Sequence, residues 1–232
     1  MDYILADPCV IPKTEENHFV EEVWRLPNSY FCFKAPELEI IVSELPAITA
    51  GKVTFGCFNN LIKVNEAVIE TWSKLLREIP DAELFLKTKV LVAEGEQEKI
   101  RRRFFERGVE PSRLVLEGSS PRGELLQAYK RVDIALDPFP YPGGTTTAEA
   151  LWMGVPVLTL AGDNFLSRVG ESVVRSAGLS EWISKDRKDY IKKALEFASD
   201  LQSLSETRQN LRRQVTKSPL FDGNLFAEDF RA

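Results

Sequence analysis

The sequence predicts an α/β fold, a Rossmann-like parallel sheet with helices on both faces. Two features carry that expectation. From Lys52 onward strand-like and helix-like segments alternate regularly, and a glycine-rich turn joins one buried strand to the next helix. Alternation at this spacing requires right-handed crossovers, and hence parallel strands with helices covering the sheet.

Residues 53–58 read as the first strand of the sheet. Asn65 then caps a helix that places Val68, Ile69, Trp72, Leu75, Leu76 and Ile79 on one face. A second strand follows at 83–87, then a helix over 94–107 stopped by Gly108. The third strand is expected at 113–117. Ser120 and Pro121 open the next helix, serine as the cap and proline at the first helical position. A fourth strand at 132–137 leads into the Gly143-Gly144 turn and its helix, and a fifth spans 155–160. Three further helices are expected over 166–177, 188–198 and 204–215.

Residues 1–50 follow a different pattern. Residues 3–6 form a short strand and 15–24 a helix, after which Pro27, Pro36 and Pro46 leave little room for long elements. The expected organisation is a connector over 1–50 and a nucleotide-binding domain with trailing helices over 51–232.

Composition narrows the function. Thirty Lys and Arg against 35 Asp and Glu give a net charge of -5, which does not favour nucleic acid as a partner. The basic run Arg101-Arg102-Arg103 is flanked by Glu96, Glu98 and Glu106 and reads as a solvated helix face. Three widely spaced cysteines suit neither a disulfide framework nor a zinc site, and point to a reducing, cytoplasmic setting. There is no run of membrane-spanning length and no signal peptide. The single histidine, His18, lies among glutamates and reads as a surface residue. No Asp-x-Asp pair marks a metal site.

The stretch from Tyr141 to Val157 carries the chemistry: two glycines, then Thr145, Thr146 and Thr147, then Glu149 inside the helix. A helix starting at the carboxyl end of a parallel strand presents free N–H groups and about half a positive charge, which suit a phosphate. Gly143 and Gly144 let a ligand approach, the threonines add hydroxyl donors, and Glu149 lies where a carboxylate meets ribose hydroxyls. The plainer alternative is a turn with Thr145 as cap. Three consecutive threonines exceed what one cap needs, and the flanking strands place the loop where open α/β sheets bind ligands. Two more loops are expected on the same edge. One holds Asn60 and Lys63, which either reaches an anion or is a solvated charge; the other, Gly118 to Arg122, offers backbone to a flat base.

Taken together, the segments 58–63, 143–156, Ser167-Arg168-Val169-Gly170 and Ser218-Pro219-Leu220-Phe221 closely resemble the O-GlcNAc transferase family, including its SPINDLY-like branch. The resemblance covers nearly the whole chain. It implies the C-terminal half of a GT-B glycosyltransferase, with residues 2–8 as the last strand of an N-terminal catalytic half. It also implies that the acceptor site, a general base and a TPR array lie upstream. By position, Lys63 would be the catalytic contact to the donor diphosphate, with Asn60 beside it. Thr145 and Thr146 would hold the pyrophosphate, Glu149 the ribose, and Ser120, Arg122 and Leu125 the base. The implied donor is a UDP-sugar, first of all UDP-GlcNAc, with no cofactor and no metal, and the acceptor is a protein hydroxyl. SPINDLY-like relatives that use GDP-fucose keep the sugar open. Gly144 and Leu125 stand where animal members carry histidines, so those contacts do not carry over. The remaining alternatives are another GT-B sugar-nucleotide enzyme, such as an epimerase, or a module that binds without turnover.

Overall fold

In chain order the strands and α-helices are β1 (Tyr3–Ala6), β2 (Glu22–Arg25), α1 (Pro46–Ala50), β3 (Thr54–Cys57), α2 (Glu66–Glu78), β4 (Glu83–Lys87), α3 (Glu94–Phe105), β5 (Leu114–Glu117), α4 (Arg122–Ala128), β6 (Ile134–Leu136), α5 (Thr145–Trp152), β7 (Val157–Leu160), α6 (Val169–Ser176), β8 (Ile183–Ser184), α7 (Arg187–Ser199), α8 (Leu201–Val215) and α9 (Gly223–Arg231). They come from a computed structural model that describes residues 2–231. Six strands form one parallel sheet in the order β5-β4-β3-β6-β7-β8. The chain starts in the middle at β3, builds outward to β5, then returns beside β3 as β6 and builds the other way. The carboxyl ends of β3 and β6 therefore border the crevice at which such sheets bind ligands.

The central strands are apolar on both faces because helices cover both. Phe55, Leu84, Ile134 and Leu158 are fully buried. Helix α2 packs on α3 and α7, and α5 on α6 and α8. Asn65 caps α2 by accepting from the Val68 amide at 3.1 Å, so Trp72, Leu75 and Leu76 face inward with almost no exposure. Asp133, just before β6, accepts from the amides of Ala47 and Thr54, each at 2.8 Å. That ties helix α1 to the sheet.

The amino-terminal region departs from expectation. Tyr3–Ala6 is a strand as expected, but 15–24 is not a helix. Lys13–His18 forms a 3-10 turn, and Glu22–Arg25 pairs in parallel with β1. The acidic residues favour a helix locally; Val23 and Trp24 instead gain a strand partner that no local pattern reveals. Helix α6 starts at Val169, later than residue 166, because a 3-10 turn occupies 166–168. Helix α4 starts after Pro121, which occupies the cap position, so Ser120 is not its cap. Strand β8 and helix α9 were not anticipated.

The basic run on α3 is also more engaged than a solvated face would be. Arg101 donates to the carbonyls of Pro111 and Leu114, and Arg103 pairs with Glu66 at 2.7 Å. His18 is exposed.

Candidate functional site

After β3 the chain runs through Asn59 and Asn60 into a 3-10 turn over Leu61–Lys63. Asn60 caps it, its side-chain oxygen accepting from the Ile62 amide at 3.2 Å. The turn sends Lys63 back across the crevice toward the segment that follows β6. Its Nζ donates to the Pro142 carbonyl at 2.8 Å and to Asn59 Oδ1 at 3.4 Å, and lies 3.9 Å from the centroid of the Tyr141 ring. Burial pulls the Lys63 pKa below the ordinary lysine value, and the charge of Asp137 opposes that fall. The amine rests against neutral oxygens and an aromatic face, and among the described residues no carboxylate forms an ion pair with it.

Across the crevice, Gly144 precedes α5 and no side chain caps the helix. The first helical bond runs from the Ala148 amide to the Gly144 carbonyl at 3.0 Å. The amides of Thr145, Thr146 and Thr147 therefore have no partner within the helix. The three hydroxyls differ. Thr147 is buried and donates to Asp137, while Thr146 donates to Asn59 Oδ1 at 3.1 Å. Thr145 is exposed. Gly143 turns its amide inward to Asp137 Oδ1 at 3.1 Å, and a Cβ there would lie 2.3 Å from Thr147 Oγ1. Close packing is what requires glycine at 143. At Gly144 the nearest atom to such a Cβ is 3.8 Å away.

One turn into α5, Glu149 is 3% exposed and its Oε1 lies 2.7 Å from Arg122 Nη1. Burial raises its pKa and Arg122 works against the rise. Arg122, at the start of α4, thus meets the carboxylate expected to take the ribose. Ser120 lies just upstream with its hydroxyl buried and without a protein partner. Leu125 is half-buried against the main core. The Gly118 carbonyl of this loop accepts from Lys87 Nζ at 3.1 Å, and Lys87 also pairs with Glu117.

Asn60, Lys63, Ser120, Arg122, Leu125, Gly144, Thr145, Thr146, Thr147 and Glu149 all lie in the loops after β3, β5 and β6 or in the first five residues of α4 and α5, at the carboxyl edge of the sheet. Three residues outside the expected set join this network: Asn59, which bridges Lys63 and Thr146; Tyr129, whose hydroxyl donates to the Thr146 carbonyl at 3.0 Å; and Asp137, which accepts from Gly143 and Thr147. A carboxylate directly after a buried apolar strand and next to the glycine turn was the available signal for Asp137.

The model of glycosyl transferase family 41 matches residues 36–230. The chain belongs to that family. A family 41 relative from Oryza sativa subsp. japonica, a probable UDP-N-acetylglucosamine–peptide N-acetylglucosaminyltransferase SPINDLY, is 40% identical over 227 residues, covering 97% of this chain and 24% of the relative. The SPINDLY protein of Solanum lycopersicum is 36% identical over 233 residues, 100% of this chain and 25% of its own length. The chain thus spans about a quarter of these curated relatives. Among solved structures, a lysine-to-methionine mutant of Thermobaculum terrenum O-GlcNAc transferase superposes with a TM-score of 0.91 at 35% identity, over 100% of this chain and 44% of the other. The C-terminal domain of a group 1 glycosyl transferase from Francisella tularensis shares the fold alone, with a TM-score of 0.55 at 15% identity, over 79% of this chain and 94% of that domain. The family 41 chain has the C-terminal fold of GT-B glycosyltransferases. Among its described residues no helix is long and apolar enough to cross a membrane.

Proposed function

We propose that this chain is the nucleotide-binding half of an inverting protein O-glycosyltransferase that moves N-acetylglucosamine from UDP-GlcNAc to serine or threonine. The observation that carries the proposal is the convergence of two positive features from different crossovers. The Lys63 amine reaches the Pro142 carbonyl, directly before the glycine turn, and the uncapped amino end of α5 opens beyond that turn. Among the described residues no carboxylate pairs directly with Lys63 and no side chain caps α5, so both sets of donors are left to a diphosphate.

In this scheme the acceptor hydroxyl attacks the anomeric carbon from the side opposite the diphosphate, and the bond to the β-phosphate oxygen breaks as UDP leaves. Charge gathers on that oxygen. Lys63 and the amides of Thr145, Thr146 and Thr147 are the preorganised donors that offset it, without a metal ion. Glu149 takes the ribose hydroxyls once Arg122 yields its place, and the Gly118–Pro121 backbone reads the base beside Ser120 and Leu125. Asn60 completes the phosphate contacts with its amide nitrogen, its oxygen being held by the turn. Acceptor binding and proton removal belong to an amino-terminal catalytic half, so the chain alone binds nucleotide without transferring sugar. The assignments to the family's donor are supported by the names of the relatives and by the position of each residue.

Titration calorimetry with UDP on wild type and Lys63→Ala tests the proposal. Loss of one charge-assisted contact is expected to weaken UDP about 10- to 100-fold. Equal affinity in the two proteins would place the nucleotide elsewhere. GDP in parallel tells a guanine donor from a uracil one.

A further inference from the structure

Asp137 has no part in the scheme above, yet it is the most heavily engaged side chain of the site. It follows β6, and its backbone is fixed on both sides. Its amide donates to the Leu158 carbonyl at 2.9 Å, and its carbonyl accepts from the Tyr190 hydroxyl at 3.1 Å. Asp137 is 2% exposed. Its Oδ1 accepts from the Gly143 amide and the Thr147 hydroxyl, both at 3.1 Å, and from Asn59 Nδ2 at 3.4 Å; Oδ2 lies 3.2 Å from Thr147 Oγ1. Two glycines from different elements leave room for it: a Cβ on Gly143 or on Gly170 would lie 2.9 Å from a carboxylate oxygen.

Asn59 extends this network to the ligand side. While its nitrogen donates to Asp137, its oxygen accepts from Thr146 Oγ1 and from Lys63 Nζ. One buried carboxylate is therefore connected to the glycine turn, to the first turn of α5 and to the lysine across the crevice.

We infer that Asp137 is a positioning residue for the anion cradle: it fixes the angle at which the Gly143 turn enters α5 and, through Asn59, the place of the Lys63 amine. The inference rests on the amino end of α5 being the diphosphate site. Charge and geometry make opposite demands here. A carboxylate beside a diphosphate repels it, so if charge alone mattered, removing Asp137 would tighten binding. If positioning matters, removal loosens binding, because the donors no longer converge.

Asp137→Asn keeps the size and one acceptor oxygen while giving up the charge and the second acceptor. Calorimetry on the 232-residue chain compares UDP with UMP, and GDP with GMP. Diphosphate affinity is expected to fall about tenfold in Asp137→Asn, with the monophosphate falling less. Tighter diphosphate binding, or an equal loss on both nucleotides, overturns the inference. Asn59→Ala cuts the relay to Lys63 and leaves Asp137 its charge and its bonds to Gly143 and Thr147, and it is expected to reproduce the diphosphate loss; wild-type affinity in that variant overturns the relay. Hydrogen exchange of the unliganded proteins needs no nucleotide. Asp137→Asn is expected to speed exchange over residues 143–149 and leave α2 unchanged, and unaltered exchange over 143–149 overturns the positioning role. A wild-type chain that binds neither diphosphate sinks the functional proposal, a result separate from the exchange outcome.

Discussion

Glu149 holds a buried charge with one cationic partner. Burial raises its pKa and the Arg122 guanidinium pulls the other way. An acid whose folded value lies above its unfolded one binds more protons when folded, so its contribution to stability declines as pH rises from the unfolded value toward the folded one. Arg122 limits that decline. Arg122→Ala is therefore expected to melt close to wild type at pH 4, where Glu149 is protonated in both. At pH 7 it should be less stable by ~1 kcal/mol, a modest figure because the arginine is half exposed. Melting curves across that range check it; a gap independent of pH would mean that Arg122 does not serve Glu149. The same pair separates what the sequence revealed from what it hid. Lys63, Thr145 and Glu149 were legible because motif order placed them on one sheet edge. That Arg122 occupies Glu149 was not, since α4 and α5 meet only after β6 has inserted between them in the sequence. The contacts of Asp137 were hidden for the same reason: its partners come from the β3 loop, the glycine turn and α5.

At the scale of elements, two adjacent glycines that look alike in sequence have different jobs. A Cβ on Gly143 would meet Thr147 Oγ1 at 2.3 Å, Thr146 Oγ1 at 2.6 Å and Asp137 Oδ1 at 2.9 Å, while one on Gly144 meets only Val169 and Phe31 at ordinary contact distance. Gly143→Ala is expected to cost about 1–3 kcal/mol through overpacking and to weaken nucleotide binding, because the turn must shift. Gly144→Ala is expected to stay within about 0.5 kcal/mol of wild type. Denaturant unfolding of both variants decides it, and equal costs would show that the turn relaxes freely. Element by element, the sequence was most readable where local signals agree with the tertiary environment. The apolar runs of the sheet and the Asn65 cap fall in that group. It was least readable where partners are remote. Residues 22–25 become a strand by pairing with 3–6, and β8 has only two residues. Helix α9 begins at a glycine, beside Asp222, whose carboxylate accepts from the amides of Asn224 and Leu225.

Across the whole molecule, residues 2–30 form a satellite around Ala6, Val10 and Ile11, apart from the main core. So few buried side chains cannot hold that segment in place, and polar ties do much of that work. Asp7 accepts from the Ser172 hydroxyl at 2.5 Å, and Arg168 grips Glu15 through two bonds of 2.7 and 2.8 Å while donating to the Gly162 carbonyl. The far end of the chain helps: Phe230 stacks on Trp24 at 4.5 Å, and Asn28 bonds Asp229. The satellite thus docks on the β7–α6 connection and the first turn of α6, which also borders the glycine turn, since Gly170 packs against Pro142 and Asp137. Arg168→Ala removes the two-pronged pair with Glu15. The loss should be local. Trypsin is expected to cut at Lys13 and Arg25 several-fold faster, while the main melting transition moves by no more than about 2 °C, because the hydrophobic core over the sheet is untouched. A large fall in the main transition without faster cutting at those sites would mean that Arg168 supports the sheet rather than the satellite.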